Sequence, residues 1–244
     1  MIKANEARTK LHALASPEVA ASSDRFFKTG PGQYGEGDTF IGVRVPVLRK
    51  LARECRALPL TEIEALLHST VHEERLLALL VLVLGVGKCD GAHRKAVYDF
   101  YLGNMPHVNN WDLVDTSAPA IVGGYLRDKS RKPLVGLAKS ASLWERRIAV
   151  VATQHFIRLD QFDDTLTVSR LLLGDKEDLI HKATGWMLRE VGDRDEAALA
   201  AFLDEHGTVM PRTMLRYAIE HFPPEKRLAY LGSDRPRASK RGGA

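Results

Sequence analysis

The sequence predicts an all-α protein, a curved solenoid of HEAT-like helical hairpin repeats, and three observations predict it. Apolar residues recur with a period near 3.6 along most of the chain, no run of alternating β-type residues interrupts them, and longer helices are expected to start at 111, 143 and 176, spaced 32 and 33 residues apart. Hairpins at that spacing cannot bury their apolar faces singly, so each must stack on the next, with one helix of every pair lining a concave wall.

Periodicity places the first helices at 3–14 and 17–28, followed by the loop GPGQYGEGD. Pro46 suits the first turn of a helix over 46–57, and Thr61 is a candidate cap for 61–69. The helix over 72–87 carries the longest uncharged apolar run, LLALLVLVLGV at 76–86, and 91–104 follows it. Asn110 is placed to cap 111–127, after which come 131–140, 143–158 and 163–173. Helices over 176–191 and 195–206 are expected to stop at Gly192 and Gly207, Pro211 opens 211–222, and 224–231 completes one domain spanning 1–231. In the remaining tail, 232–244, Arg235, Arg237, Lys240 and Arg241 are opposed only by Asp234; it reads as a disordered extension suited to non-specific phosphate contact.

A chain of 244 residues, 45% of them hydrophobic, can bury a full core. Its net charge of +4 owes three charges to the tail, so any basic face on the body must come from how charges are placed. The run at 76–86 is about half of what crosses a bilayer and MIKANEARTK lacks the apolar core of a signal peptide, so a cytoplasmic protein without membrane contact is expected. Cys55 and Cys89 form no CxxC pair, and nine histidines include no HExxH, which argues against a metal site. Residues 30–35, GPGQYG, satisfy GxGxxG in letters, but the preceding segment is helical in pattern, Pro31 lies inside and no βαβ unit follows. No GxSxG or SxxK supports a nucleophilic hydrolase, and no cofactor is called for.

The residues with chemical potential lie on the longer helices. On a helical wheel Trp111, Val114, Ala118, Val122 and Tyr125 form one stripe, and Asp115 falls inside it, about 40° from Trp111. Asp112 is the ordinary acid of a first turn, favoured by the helix dipole. Asp115 is costly on an inward stripe unless it pairs with an arginine of a neighbouring repeat or faces a wet cleft. Pro119 cannot donate to the carbonyl of residue 115 and should disturb the helix beside the acid. In the next long helix Arg147 borders the stripe Ile148, Val151, Ala152, His155 and Phe156, with Gln154 and Arg158, and is expected along a groove edge. In the third, Trp186 lies off the core stripe, flanked by Lys182 and Arg189: either a half-buried packing residue or part of a nucleic-acid surface.

Together the segments Phe40-Ile41-Gly42-Val43-Arg44-Val45-Pro46, Asn110-Trp111-Asp112-Leu113-Val114-Asp115, Trp144 with Arg147, and Lys182-Ala183-Thr184-Gly185-Trp186 with Leu188-Arg189-Glu190 carry a resemblance. The chain resembles the bacterial DNA alkylation repair glycosylases of the AlkD type over about residues 20–222. That resemblance implies excision of cationic N3- or N7-alkylated purines from double-stranded DNA by a monomer, without metal or cofactor. It makes Asp115 the catalytic carboxylate, gives Arg147 a DNA-backbone contact that orients the acid, and sets Trp111 and Trp186 around the sugar of the damaged nucleotide. Arg158, Lys182 and Arg189 are expected to bind DNA, as are Phe26 and Phe27. One departure is this phenylalanine pair, where the family often has a tyrosine: aromatic packing is kept, a hydroxyl contact is not. Two other readings use the same residues: a non-catalytic module that binds damaged or branched DNA, and a protein–protein scaffold.

Overall fold

In a computed structural model of the protein, residues 3–87 and 90–232 are described; Cys89 and the basic tail residues Arg235, Arg237, Lys240 and Arg241 lie outside them. The described residues form helices joined by turns and loops, with no strand and one isolated parallel bridge between Thr39 and Val71. Every expected helix has a counterpart with its ends moved by a few residues, but those over 111–127 and 143–158 are each interrupted, the second at Thr153. In order they are α1 (Ala4–His12), α2 (Pro17–Phe26), α3 (Val45–Glu54), α4 (Leu60–Leu67), α5 (His72–Val86), α6 (Gly91–Gly103), α7 (Trp111–Ala118), α8 (Gly124–Leu126), α9 (Lys132–Ala138), α10 (Leu143–Ala152), α11 (Gln154–Ile157), α12 (Asp163–Leu171), α13 (Asp178–Gly192), α14 (Glu196–His206), α15 (Arg212–Ala218) and α16 (Pro224–Gly232). The GPGQYG segment is a loop of turns, as its context implied.

The chain divides into two compact units, Met1–Ser130 and Arg131–Ala244. In the first, α5 is the central element, packed by α3, α4, α6 and α7. That enclosure explains its composition: all residues from His72 to Leu82 are buried, and the apolar run leaves this cover only at its end, where Leu84 is exposed. No helix of the described residues is long and apolar enough to cross a membrane. In the second unit α13 has the central place, against α10, α12, α14 and α15. Below it, Leu199, Phe202, Met210, Met214 and Ile219 share one buried cluster with Leu188.

Several local expectations change. Thr61 does not cap α4, whose preceding residue is Pro59; it sits in the first turn. Gly192 and Gly207 mark helix ends but not by left-handed caps: Gly207 has φ −55°, and Gly192 is the last helical residue. Their value is space, because a methyl group on Gly192 would lie 2.3 Å from Leu199 Cδ2. Pro119 interrupts the helix expected over 111–127 as foreseen: Pro119–Gly123 form a wide π turn between α7 and α8, which accommodates the missing N–H.

Candidate nucleic-acid interface

In the first unit the candidate residues gather around the start of α7. Asn110 caps the helix, its Oδ1 accepting from the Trp111 N–H at 2.8 Å. The buried face consists of Leu113, Val114, Ser117 and Ala118, and it leaves Trp111 and Asp115 half-buried on its margin, not inside it. The wheel misplaced the stripe because Ser117, polar by type, is wholly buried: its hydroxyl donates to the Leu113 carbonyl at 2.6 Å and meets the Tyr101 hydroxyl at 3.0 Å. Burial pushes the Tyr101 phenol well above its ordinary range; the Ser117 bond opposes that shift, and the negative charge of Asp115 adds to it.

Trp111 is supported by rings from distant parts of the chain. Phe27 stacks on it at 5.2 Å and 13°, Phe40 stacks on Phe27 at 4.8 Å, and the His72 ring stacks on Phe40 at 4.5 Å. Phe26, 63% exposed, meets the indole edge-on at 5.8 Å. The column depends on the 40–43 loop, where Glu73, 3% exposed, accepts from the backbone N–H groups of Ile41, Gly42 and Val43 at 3.1, 2.8 and 3.2 Å. Gly42 has φ +82°, and any Cβ there would lie 2.0 Å from the Ser16 carbonyl oxygen, so both its conformation and its contact require glycine.

Beneath the rings lies an ionic network that the sequence did not disclose. His72, 1% exposed, places Nδ1 3.0 Å from Asp38 and Nε2 2.8 Å from Asp112. Asp38 also accepts from Arg75 at 2.6 Å and from Asn110 Nδ2 at 3.0 Å. Burial alone would lower the His72 pKa, but the bonds and charges of Asp112 and Asp38 outweigh it and raise it to about 9. Asp112 is therefore a structural partner, not just a first-turn acid. No local spacing points to this, because the partners lie 34 and 40 residues apart.

The second unit presents a different surface. Arg147 is 5% exposed, not on an open edge, and its Nη1 donates to the Leu179 carbonyl of α13 at 2.6 Å. The wheel failed here because α10 is flanked by α9 and α13, so residues 147–152 are buried all round. Trp186 is half-buried and donates to Glu190 at 2.9 Å. Lys182 pairs with Asp178 at 2.8 Å and Arg189 with Glu220, so both cations carry local counter-charges. Arg158 is exposed and bonds Gln154 at 2.9 Å. Lys182 opens onto a cleft of about 440 Å³ lined also by Asp178, Thr213, Arg216, Tyr217, Glu220 and Arg227. Arg216 and Arg227 were missed as candidates; their only sequence signal is basic charge in two short amphipathic helices. Gly185 lets α13 and α15 approach closely, for a methyl group there would lie 2.4 Å from the Met214 carbonyl oxygen.

Among the described residues no group of three or more His, Cys, Asp or Glu side chains is arranged to hold a metal ion. A solved structure of a predicted DNA alkylation repair enzyme from Enterococcus faecalis is similar over 86% of this chain and 97% of its own, with a TM-score of 0.67 at 19% identity, a likeness of fold. No curated protein matches. The family model described as DNA alkylation repair enzyme matches residues 7–222, and the chain belongs to that family.

Proposed function

We propose that the protein is a DNA glycosylase that excises cationic N3- and N7-alkylated purines from duplex DNA, acting as a monomer. The observation that carries this reading is the half-buried carboxylate of Asp115, one helical turn from the half-buried indole of Trp111, beside the π turn at Pro119. A purine alkylated at N3 or N7 already bears positive charge and departs without a general acid. Loss of the base leaves positive charge on the deoxyribose, as in glycoside hydrolysis. Asp115 stabilises that charge and positions the attacking water, and Trp111 adds a cation–π contribution. A preorganised group of this kind contributes roughly 3–4 kcal/mol to the barrier reduction.

In the second unit Trp186 offers an aromatic face, and Lys182, Arg189 and exposed Arg158 offer positive charge, to DNA. Arg147, committed to the Leu179 carbonyl, enters as the residue that sets the first turn of α13 as well as a DNA contact. The test is release of free base from duplexes carrying 7-methylguanine or 3-methyladenine, set against a duplex carrying a neutral lesion. Rapid release of the cationic bases and little of the neutral one is expected; equal rates on both lesions would remove the electrostatic account.

A second reading, a module that binds damaged DNA without chemistry, is favoured by one observation: Lys182, Arg216 and Arg227 line a single cleft of the second unit. It predicts tight binding with no base released.

A further inference from the structure

His72 is placed where two separate circuits close on Trp111. The polar circuit runs from Arg75 to Asp38, from Asp38 to Asn110, and from Asn110 to the backbone N–H of Trp111. His72 joins Asp38 to Asp112, the residue next to Trp111, and Asp112 caps inward on the Leu113 N–H at 2.9 Å. The aromatic circuit runs from the His72 ring through Phe40 and Phe27 to the indole itself. One ring thus locates both the backbone and the side chain of Trp111, and with them the turn that carries Asp115.

Each His72 nitrogen faces a carboxylate oxygen, and only the imidazolium can donate from both. The charged groups that face it are Asp38 from the loop before the 40–43 turn, Asp112 from α7 and Arg75 from its own helix; Phe27 of α2 and Phe40 supply uncharged cover. Arg75 Nη2 lies 3.4 Å from Nδ1, but its charge is directed at Asp38, which both cations share. With His72 protonated the four charges cancel; without its proton a net negative charge stays buried at the base of α7.

We propose that His72, as a buried imidazolium held between Asp38 and Asp112, is a positioning residue that fixes Trp111 and the first turn of α7, and so makes the geometry of the Asp115 site depend on one proton. Its loss at alkaline pH, where the network raises the ring's pKa to about 9, loosens the helix start and lets the indole leave its stack. The activity consequence rests on the glycosylase reading; the structural consequence does not.

The experiment uses the full chain. Nitrogen-15 spectra of the imidazole at pH 8 are expected to show both His72 nitrogens protonated, and neutral tautomer there would overturn the proposal. In a Trp144→Phe/Trp186→Phe background, the remaining Trp111 emission should shift as His72 deprotonates; an emission constant across that titration would equally overturn it. Asp112→Asn keeps the shape, removes one carboxylate charge, and should move both the imidazole titration and the Trp111 transition to lower pH. In the native chain, His72→Gln should lower the single-turnover excision rate at saturating DNA by about 10- to 100-fold while changing duplex affinity less than about twofold. An unchanged rate in a wild-type protein that does excise would refute positioning, whereas a native chain that releases no base but shows the coupled His72 and Trp111 transitions would refute the glycosylase reading alone.

Discussion

Trp111 on α7 and Trp186 on α13 are both half-buried indoles, yet they are held by opposite means. Trp111 is fixed by parts that are remote in sequence: Phe27, Phe40, His72 and Asp38 reach it across tens of residues. The hydrogen bond of Trp186 is local, to Glu190 four residues on, and its neighbouring cation Lys182 is paired four residues back with Asp178. Loss of a single piece is therefore expected to propagate through the assembly around Trp111 and to stay local around Trp186.

The contrast can be broken first at the two glycines that support the two surfaces. Gly42→Ala forces a side chain into positive φ and into the Ser16 carbonyl, so a destabilisation of about 3 kcal/mol or more is expected in urea unfolding, together with altered Trp111 emission. A stable variant with unchanged emission would show that the 40–43 turn does not support the indole.

Alkaline pH is the next lever. A histidine whose folded pKa, about 9, exceeds its unfolded value of 6.5 contributes stability that is complete below pH 6.5 and is lost as the pH rises through about 9. Up to about 3 kcal/mol should disappear across that window, and His72→Gln should flatten the dependence. A wild-type stability that is level between pH 6.5 and 9.5 would contradict the ionic network.

Gly185→Ala sharpens the other side. The added methyl meets the Met214 backbone, which yields little, and a cost of about 1–3 kcal/mol is expected without any change in Trp111 emission. The smallest effect belongs to Glu190→Gln. Replacing the acceptor of Trp186 Nε1 by a neutral one should cost less than about 1 kcal/mol and shift only Trp186 fluorescence.

The same contrast explains what was legible in the sequence. Helices and their order were readable because 3.6-residue periodicity is local, and so were the Asn110 cap and the break at Pro119. Asp115, an acid on an apolar stripe, and Trp186, an indole off the core stripe, stood out from their helices, whereas Trp111 read as an ordinary member of its stripe. The His72 network was not, because its bonds join a loop, α5 and α7. The four residues from His72 to Arg75 look like a solvated charge run, yet each is buried, compensated by Asp38, Asp112, Arg8, His12 and three backbone N–H groups. Arg147 was misplaced for a related reason: a wheel describes one helix, and burial on α10 is decided by α9 and α13 on either side.

The central claim is that the Asp115 charge serves the chemistry and not the binding. Asp115→Asn, isosteric and neutral, should be compared with the native chain on one 7-methylguanine duplex, with base release and duplex affinity measured on the same preparation. Release reduced by about 10²- to 10³-fold at an affinity within about twofold of the native value is the expected result. Release that survives the substitution at the native rate would contradict the account.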